Sequence, residues 1–354
     1  MLYFNVVIVV AMKGSPKMDI TNNRQGIPPG LFTDPSNPEV VPYILDVITY
    51  NGEPILEIRI PYLYNHVDEF IIVEARRTFS GLPKEGGLFC ESAAFKERFA
   101  PYMDKIKVLA VEDFPDTAEN VEKWLKNVGR ASHVQDGTED SWFREYYQRN
   151  FAAPYIYEKY ISRKDANARP FIAIVSDSDE IPRSEHVQAL RENPKLWEAC
   201  RDTPVYMEMD FFYYNFNWRK KEPWYFAYFI SQDTFTRYGG DLTYLRCNHP
   251  KEQVLRDAGW HCSYFSSRDE LRRKLASFSH REFDRDEFKT DAHLDDCLVF
   301  GRDLFLRGEH EDLVRSDSIA ALGLPGATAF QLRLLDIQQS QAATSRKSLE
   351  LLRS

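Results

Sequence analysis

The chain alternates continuous apolar runs with segments of helical character. Four runs, partly β-branched, predict strands: Tyr43–Tyr50, Phe70–Ala75, Lys105–Val111 and Phe171–Val175. Because helical segments separate these runs, we expect parallel strands joined by right-handed crossovers, as in a doubly wound α/β sheet. Ligands of such sheets bind beyond the carboxyl ends of the strands, so the polar residues that follow each run are the first candidates for chemistry.

Helices are expected in three segments. One opens at Glu53–Pro54, where proline at the first helical position is favourable, although Pro61 is expected to kink or shorten it. A second covers Ser141–Asn150, and a third starts near Ser184, shortly after the run Phe171–Val175. Helices in these places fit the alternating order of a doubly wound fold.

The second half of the chain has a different pattern. Val205–Tyr214 alternates with a period of two, which predicts an antiparallel strand and so a mixed portion of the sheet over the cleft. The proline-rich stretch before residue 43 is typical of a linker, and a loose leucine pattern from Leu332 to Leu352 predicts a partly helical segment. We therefore divide the chain into an N-terminal extension (1–42), one folded domain (43–308) and a partly helical tail (309–354).

Composition narrows the classes of function. The 354 residues are 43% hydrophobic, which is enough for a large core, so we expect a globular protein. The formal net charge of -9 argues against a nucleic-acid partner, because binding to a phosphate backbone depends on an excess of lysine and arginine. Aromatic residues reach 14%, and some are expected to line a site, since flat rings stack on sugars and bases.

Five cysteines without a Cys-x-x-Cys pair predict neither a zinc site nor a redox motif. Buried thiols are the favoured interpretation. Cys247 and Cys262 are the pair that we expect to be bridged if the compartment is oxidising.

The first residues are apolar. Leu2–Met12, interrupted by Asn5, covers about half of the roughly 20 residues that a membrane helix needs, and no basic residue precedes it. We expect either the remnant of a membrane anchor or a disordered start, which leaves membrane association open.

Two aspartates follow the run Phe171–Val175. Asp177 and Asp179 are separated by one residue, so in extended chain both carboxylates point to the same side. Carboxylate oxygens are the ligands that Mn²⁺ and Mg²⁺ prefer, and a bound diphosphate would complete the coordination. The alternative is a polar turn that caps the helix near Ser184, after Pro182 has ended the strand pairing.

Six segments, in this order, resemble the glycosyltransferases of family 17. They are Asn51–Arg59, Val67–Glu74, Thr78–Lys84, Trp142–Glu145 with Gln148–Arg149, Ser176–Pro182 and Gly259–Ser263, and the resemblance extends from Leu45 to Gly308. It implies a GT-A-like nucleotide-sugar-binding fold. It also implies the activity of a β-1,4-mannosyl-glycoprotein 4-β-N-acetylglucosaminyltransferase, which is a metal-dependent, inverting transfer of GlcNAc from UDP-GlcNAc to a mannose-containing glycan acceptor. The implied location is the Golgi or secretory lumen, and the alternative is the cytoplasm, because no complete anchor or signal peptide is seen.

The motif residues take expected roles in such a reaction. Asp179, supported by Asp177, would hold the divalent cation against the leaving diphosphate, with His261 as a further metal ligand or a phosphate contact. Trp260 and His261 are expected on a glycine-led loop over the diphosphate. Contacts to the donor are expected from residues at strand ends or within the motifs: Glu74, Arg77, Arg149 or Arg144, Glu180, Trp260 and His261. A buried structural histidine and a solvent-exposed helix arginine are the alternatives.

The acceptor side is predicted from aromatic residues and carboxylates. Trp218, Trp224 and Tyr225 follow the antiparallel strand and form the expected acceptor platform, with core packing as the alternative. The catalytic base must be a carboxylate with a path to the acceptor hydroxyl. Asp241 ranks first because it follows two glycines in an expected exposed turn, ahead of the two other candidates, Glu252 and Glu282.

Two other functions share parts of this pattern. Haloacid-dehalogenase-like phosphatases also carry Asp-x-Asp after an apolar strand, and Asp295–Asp296 would serve as their later acidic pair. Their motif, however, opens the fold, whereas a long βα region precedes it here. A non-catalytic carbohydrate-binding protein would explain the aromatic content but not the paired aspartates at a strand end.

Overall fold

The computed structural model describes residues 41–128, 134, 136–162, 169–308, 313–316 and 323–353. The segment up to residue 40, which holds most of the predicted linker and the apolar start, lies outside the described residues. Within the described ranges, ten strands form one mixed sheet with helices packed on it. This confirms the predicted α/β class with a mostly parallel core.

The parallel core contains the four strands predicted from the apolar runs. These four are β1 to β4. The ten strands of the sheet are β1 (Tyr43–Thr49), β2 (Glu69–Ala75), β3 (Ile106–Val111), β4 (Phe171–Asp177), β5 (Glu180–Pro182), β6 (Val205–Tyr213), β7 (Trp218–Arg219), β8 (Tyr228–Ser231), β9 (Gln253–Ser263) and β10 (Val314–Arg315). Their order is β10-β7-β6-β8-β4-β1-β2-β3, and β9 pairs with β6 and β5. The pairs β3-β2, β2-β1 and β1-β4 are parallel. β8 is antiparallel to both β4 and β6, and β6 is parallel to β9, which is the expected mixed portion.

Helices follow most of the strands. They are α1 (Leu56–Leu63), α2 (Ala93–Phe99), α3 (Ala118–Val128), α4 (Glu139–Asn150), α5 (Ala152–Ile156), α6 (Ser184–Glu192), α7 (Pro194–Asp202), α8 (Gln232–Arg237), α9 (Leu242–Cys247), α10 (Arg268–Ser277), α11 (Asp291–Phe300) and α12 (Ala327–Arg353). α1 starts later than predicted, after a turn at Pro54–Ile55, and Pro61 lies inside it, near its end. The helices predicted at Ser141–Asn150 and near Ser184 correspond to α4 and α6.

Two apolar clusters enclose the parallel strands, one on each face. Ile48 and Ile174 lie in the cluster that contains α1 and α6, whereas Val47 and Val175 lie in the cluster that contains α4. Burial on both faces explains why these strands are continuous apolar runs rather than alternating ones. In the register of the sheet Thr49 lies opposite Asp177 and Val73, so the carboxyl ends of β1, β2 and β4 meet at one edge.

The long helix α12 packs on the same domain. Phe330 and Leu334 join a buried cluster with Phe212 of β6 and Trp260 of β9. The buried Gln338 donates to the carbonyls of Tyr214 (3.1 Å) and Ser266 (3.0 Å). None of the helices in the described ranges combines the length and apolarity that crossing a membrane requires.

All five cysteines lie in the described ranges, and none forms a disulfide. The bridge considered between Cys247 and Cys262 is therefore wrong. Cys262 lies in the apolar cluster beneath β9, whereas Cys247, at the end of α9, is partly exposed. The favoured interpretation, buried thiols, holds for four of the five.

Candidate active site

The two aspartates lie at the carboxyl edge of the sheet, where the chain turns from β4 into β5. Asp177 ends β4, and Asp179 precedes β5, whose residues Glu180 to Pro182 pair with β9. The expectation that Pro182 ends the pairing is wrong, because Pro182 pairs with Gly259 and the next amide, that of Arg183, donates to the carbonyl of Ala258 (2.8 Å). Nor do the aspartates cap α6, whose N-cap position is Arg183 without a capping side chain.

Arg59, on α1, holds this turn in place. Its fully buried guanidinium donates to the carbonyls of Asp177 (2.8 Å) and Glu180 (2.5 Å), to Ser176 Oγ (2.6 Å) and to the carboxylate of Asp46 (2.6 Å). Asp46 lies within β1, so the ion pair ties the turn to the neighbouring strand. Sequence reasoning missed this role. The available signal was an acidic residue inside an apolar strand, since such a residue is rarely buried without a partner.

Asp177 is bound between two arginines. Arg149 Nη1 lies 2.6 Å from Oδ1 and Arg246 Nη2 lies 2.7 Å from Oδ2, while 30% of the Asp177 side chain stays exposed. Burial by itself would raise the pKa of Asp177, but the two guanidinium groups outweigh it and hold the pKa below its ordinary value. Arg149 is buried, so the alternative of a solvent-exposed helix arginine is wrong.

Glu180 lies beneath the site. Its fully buried carboxylate receives both Nη atoms of Arg246 (2.7 and 2.9 Å), the Nε1–H of Trp224 (2.5 Å) and the amide of Asp177 (2.8 Å). With both oxygens bound in this way, Glu180 fixes Arg246 rather than offering a free acceptor to a ligand. Arg246, on α9, was not predicted, because it lies far along the chain from the motif that it supports.

Asp179 contacts a different set of groups. Lys274 Nζ lies 3.3 Å from Oδ2 and His261 Nε2 lies 3.6 Å from Oδ1. Burial would raise the pKa of Asp179, but Lys274 and His261 lower it below its ordinary value. Lys274 is on α10, also within 4.0 Å of Glu53, whose other carboxylate oxygen accepts from Ser178 Oγ (2.8 Å). Neither Lys274 nor Glu53 was predicted from the sequence to be a site residue.

Trp260 and His261 lie inside β9, so the expectation of a loop is wrong. Gly259 meets β5 so closely that a Cβ there would lie 2.2 Å from the carbonyl oxygen of Ile181. Because side chains alternate along a strand, the two residues point in opposite directions. His261 points to Asp179 and stacks on Phe211, with ring centroids 4.5 Å apart. Trp260 points away, fully buried in the cluster that contains α12.

The expected acceptor residues lie in three different places. Trp224 is at the site, with its ring 4.4 Å from that of His261 and its Nε1 on Glu180. Trp218 donates to the carbonyl of Leu298, on α11, and Tyr225 donates to Glu208 (2.9 Å). The structure therefore brings one member of the predicted platform to the aspartates.

The residues at the end of β2 organise a neighbouring loop. The fully buried Glu74 accepts from the amides of Phe89 (2.9 Å) and Cys90 (3.0 Å) and from Lys84 (3.1 Å). Arg77 pairs with Asp113 and Asp116, and Arg144 with Asp116 and Asp140. All three predicted donor contacts are thus engaged with neighbouring protein groups.

Two of the three carboxylates considered as a catalytic base, Asp241 and Glu282, are held by neighbouring groups. Asp241 caps α9, accepting from the amide of Tyr244 (2.9 Å) and from Asn150 (3.0 Å), and burial raises its pKa. Glu282 pairs with His280 (2.7 Å), and Glu252 is exposed just before β9. Asp241 is thus part of a helix cap rather than of an open turn.

Two side chains at the site, Asp179 and His261, could serve as ligands of a divalent cation. Asp179 and His261 present an oxygen and a nitrogen 3.6 Å apart, and the buried Nδ1 of His261 makes no hydrogen bond within the described residues. No cluster of three or more histidine, cysteine or acidic side chains suited to a metal occurs in those ranges. Mg²⁺ is usually held by one or two carboxylates together with substrate phosphates and water, so two protein ligands suffice.

Comparisons with known proteins give one match. The family model described as Glycosyltransferase family 17 matches residues 36–311, which is most of the chain and includes every residue of the site. No curated protein and no solved structure gives a significant match.

Proposed function

Because this chain belongs to glycosyltransferase family 17, we propose that it transfers GlcNAc from UDP-GlcNAc to a mannose-containing glycan, in a β-1,4 linkage and with inversion at the anomeric carbon. Membership makes the protein a glycosyltransferase; the donor, acceptor and linkage are our proposal. One observation carries it: Asp177 and Asp179 lie at the carboxyl edge of a parallel sheet, among cations that the fold holds in place.

Charge at this edge suits a nucleotide diphosphate. Asp177 holds Arg149 and Arg246 by one oxygen each, and Asp179 lies between Lys274 and His261. A diphosphate that enters beside Asp179 meets the ammonium of Lys274 and any cation that the carboxylate binds. Departure of UDP needs this stabilisation, because negative charge develops on the leaving oxygen in the transition state.

A divalent cation, Mn²⁺ or Mg²⁺, belongs to the proposal. Asp179 would hold it with His261, and the cation would supply Lewis-acid stabilisation of the departing diphosphate. Asp177 contributes as a fixed negative charge close by, since both of its oxygens already carry arginine contacts.

The acceptor surface and the base complete the proposal. Trp224, half-buried beside His261, is the proposed acceptor contact, because aromatic faces stack on the apolar side of sugar rings. Asp241 is the proposed base, and its raised pKa brings it closer to the working range of a general base.

The geometry disfavours the two other functions considered. A phosphatase would use Asp177 as a nucleophile, but two arginines engage its oxygens at 2.6 and 2.7 Å, which withdraws electron density from them. A binding protein without catalysis has no need for a buried ion-pair network beneath paired aspartates. Family membership agrees with both arguments.

Ligand-dependent thermal stability tests the donor. UDP-GlcNAc, UDP-glucose and GDP-mannose are compared with Mn²⁺ and with EDTA, and a ligand present at a hundred times its dissociation constant adds about 2.7 kcal/mol. We expect the largest shift with UDP-GlcNAc plus Mn²⁺, and release of UDP that accelerates when a mannose-containing glycan is added. Equal shifts with GDP-mannose, or no shift with any UDP-sugar, would refute the proposed donor.

A further inference from the structure

We propose that Lys274 is a second cation of the donor site, which binds the diphosphate directly and makes binding of the divalent metal depend on the nucleotide. This inference rests on the proposed function, since it concerns the same site. It assigns a ligand contact to a residue that none of the sequence motifs contains.

Lys274 is placed by a helix with a well-fixed start. α10 begins with a capping box, in which the Ser267 side chain accepts from the amide of Glu270 and the Glu270 side chain accepts from the amide of Ser267. Leu271 and Leu275, on either side of Lys274 along the helix, are buried in an apolar cluster. A helix held in this way delivers the lysine to the same point in every molecule.

The contacts of Lys274 differ from those of the neighbouring arginines. Arg149 and Arg246 lie 2.6 to 2.7 Å from Asp177. Lys274 Nζ lies 3.3 Å from Asp179 and 4.0 Å from Glu53, and 27% of its side chain is exposed. The ammonium also lies 5.1 Å from the centre of the Tyr264 ring. Its contacts are longer than those of the two arginines, so its three donors keep capacity for a further acceptor.

The position of Lys274 also constrains the metal. A cation bound to Asp179 would lie close to the ammonium, and two positive charges there repel each other. A bound diphosphate removes the conflict, because its negative charges attract both. Without a nucleotide, the ammonium of Lys274 therefore disfavours a metal at Asp179, and nucleotide and metal are expected to bind together.

Two affinities of the Lys274→Met variant move in opposite directions under this proposal. The affinity for UDP in EDTA, measured by isothermal titration calorimetry, should fall at least about tenfold, since a charged contact to phosphate is lost. The affinity for Mn²⁺ without nucleotide, measured from the electron paramagnetic resonance signal of free Mn²⁺, should rise about tenfold. A charge roughly 5 Å from a divalent ion changes binding by that much even at the dielectric constant of water.

Two further variants serve as controls. Lys274→Arg keeps the positive charge and should retain UDP binding in EDTA. Lys289→Met removes a lysine of similar exposure, 23%, whose Nζ lies 2.7 Å from Asp284 rather than at Asp177 or Asp179. Both affinities of this variant should stay at the parental values.

The outcomes separate this inference from the proposed function. If the parent binds UDP with Mn²⁺ and Lys274→Met has parental affinities, Lys274 is only a structural partner of Asp179 and the inference alone fails. A variant that loses both affinities together and melts earlier also overturns it, because the lysine then supports the fold. A parent that binds UDP in neither condition overturns the proposed function and this inference together.

Discussion

Replacing Arg246 by methionine should destabilise the protein more than the loss of any exposed ion pair. The guanidinium makes three contacts of 2.7 to 2.9 Å, two with Glu180 and one with Asp177. Glu180 is fully buried, so the substitution leaves a carboxylate in the interior without its cation. Breaking a buried pair from one side costs about 3–5 kcal/mol. At roughly 2–4 °C per kcal/mol, the melting temperature should fall by about 10 °C.

Urea unfolding measures this cost when the m-value stays at the parental value. The matched control is Arg256→Met, which removes an arginine that is 80% exposed and lies 2.7 Å from Glu208. Its expected cost is within about 1 kcal/mol, because solvent screens exposed pairs. Adding Glu180→Gln to Arg246→Met removes the stranded charge and should recover at least half of the loss.

Two results would refute the reasoning. A loss in Arg246→Met no larger than in Arg256→Met would mean that the buried network does not support the turn. A double variant with Glu180→Gln that is less stable than Arg246→Met would mean that the cost comes from packing rather than from the uncompensated carboxylate.

Three further predictions concern the site itself. Asp179→Asn should lower turnover at least about a hundredfold and should also destabilise the protein at neutral pH. Because the pKa of Asp179 is lower in the folded than in the unfolded protein, its carboxylate stabilises the fold above a pH of about 4. The free energies of unfolding of parent and variant, measured in urea, should therefore converge as the pH falls below that value. His261→Phe keeps the stack on Phe211 and should change stability by less than about 1.5 kcal/mol, while Mn²⁺-dependent UDP binding weakens at least about tenfold; unchanged binding would make His261 a packing residue. Asp241→Asn preserves a good helix cap, so a calorimetric scan should match the parent, while turnover should fall at least about a hundredfold if the proton transfer is lost; parental turnover would leave Asp241 with the cap alone.

The sequence predicts the sheet better than the contacts that complete the site. Continuous apolar runs determine the parallel core, because burial on both faces requires them, and the position of Asp177 and Asp179 follows from the end of one run. The partners of these aspartates come from distant segments: Arg246 and Lys274 lie 69 and 95 positions away from the residues that they contact. Nothing in their local pattern distinguishes them from exposed helix residues.

The error at Trp260 and His261 has a different origin. The pattern of small, aromatic and polar residues is typical of a turn, whereas Trp260, His261 and Cys262 alternate along a strand that is buried on both faces, with one face in the apolar cluster and the other at Asp179. Applying the period of two would have placed Trp260 in the core and His261 at the site. Trp218 and Tyr225 lie apart because different backbone pairings position them. Trp218 belongs to β7, which pairs with β10, whereas Tyr225 follows Trp224, which forms a bridge with Met209.

The packing of α12 bears on where the chain is cut for expression. The match to the family ends at residue 311, yet Phe330 and Leu334 lie beyond it and cover Phe212 and Trp260. A fragment trimmed to the family limit would present these rings to water as an apolar patch and would lose the Gln338 bonds to the loop that precedes α10. Such a fragment is expected to aggregate during purification, so the practical C-terminal boundary of a well-behaved preparation lies after this helix.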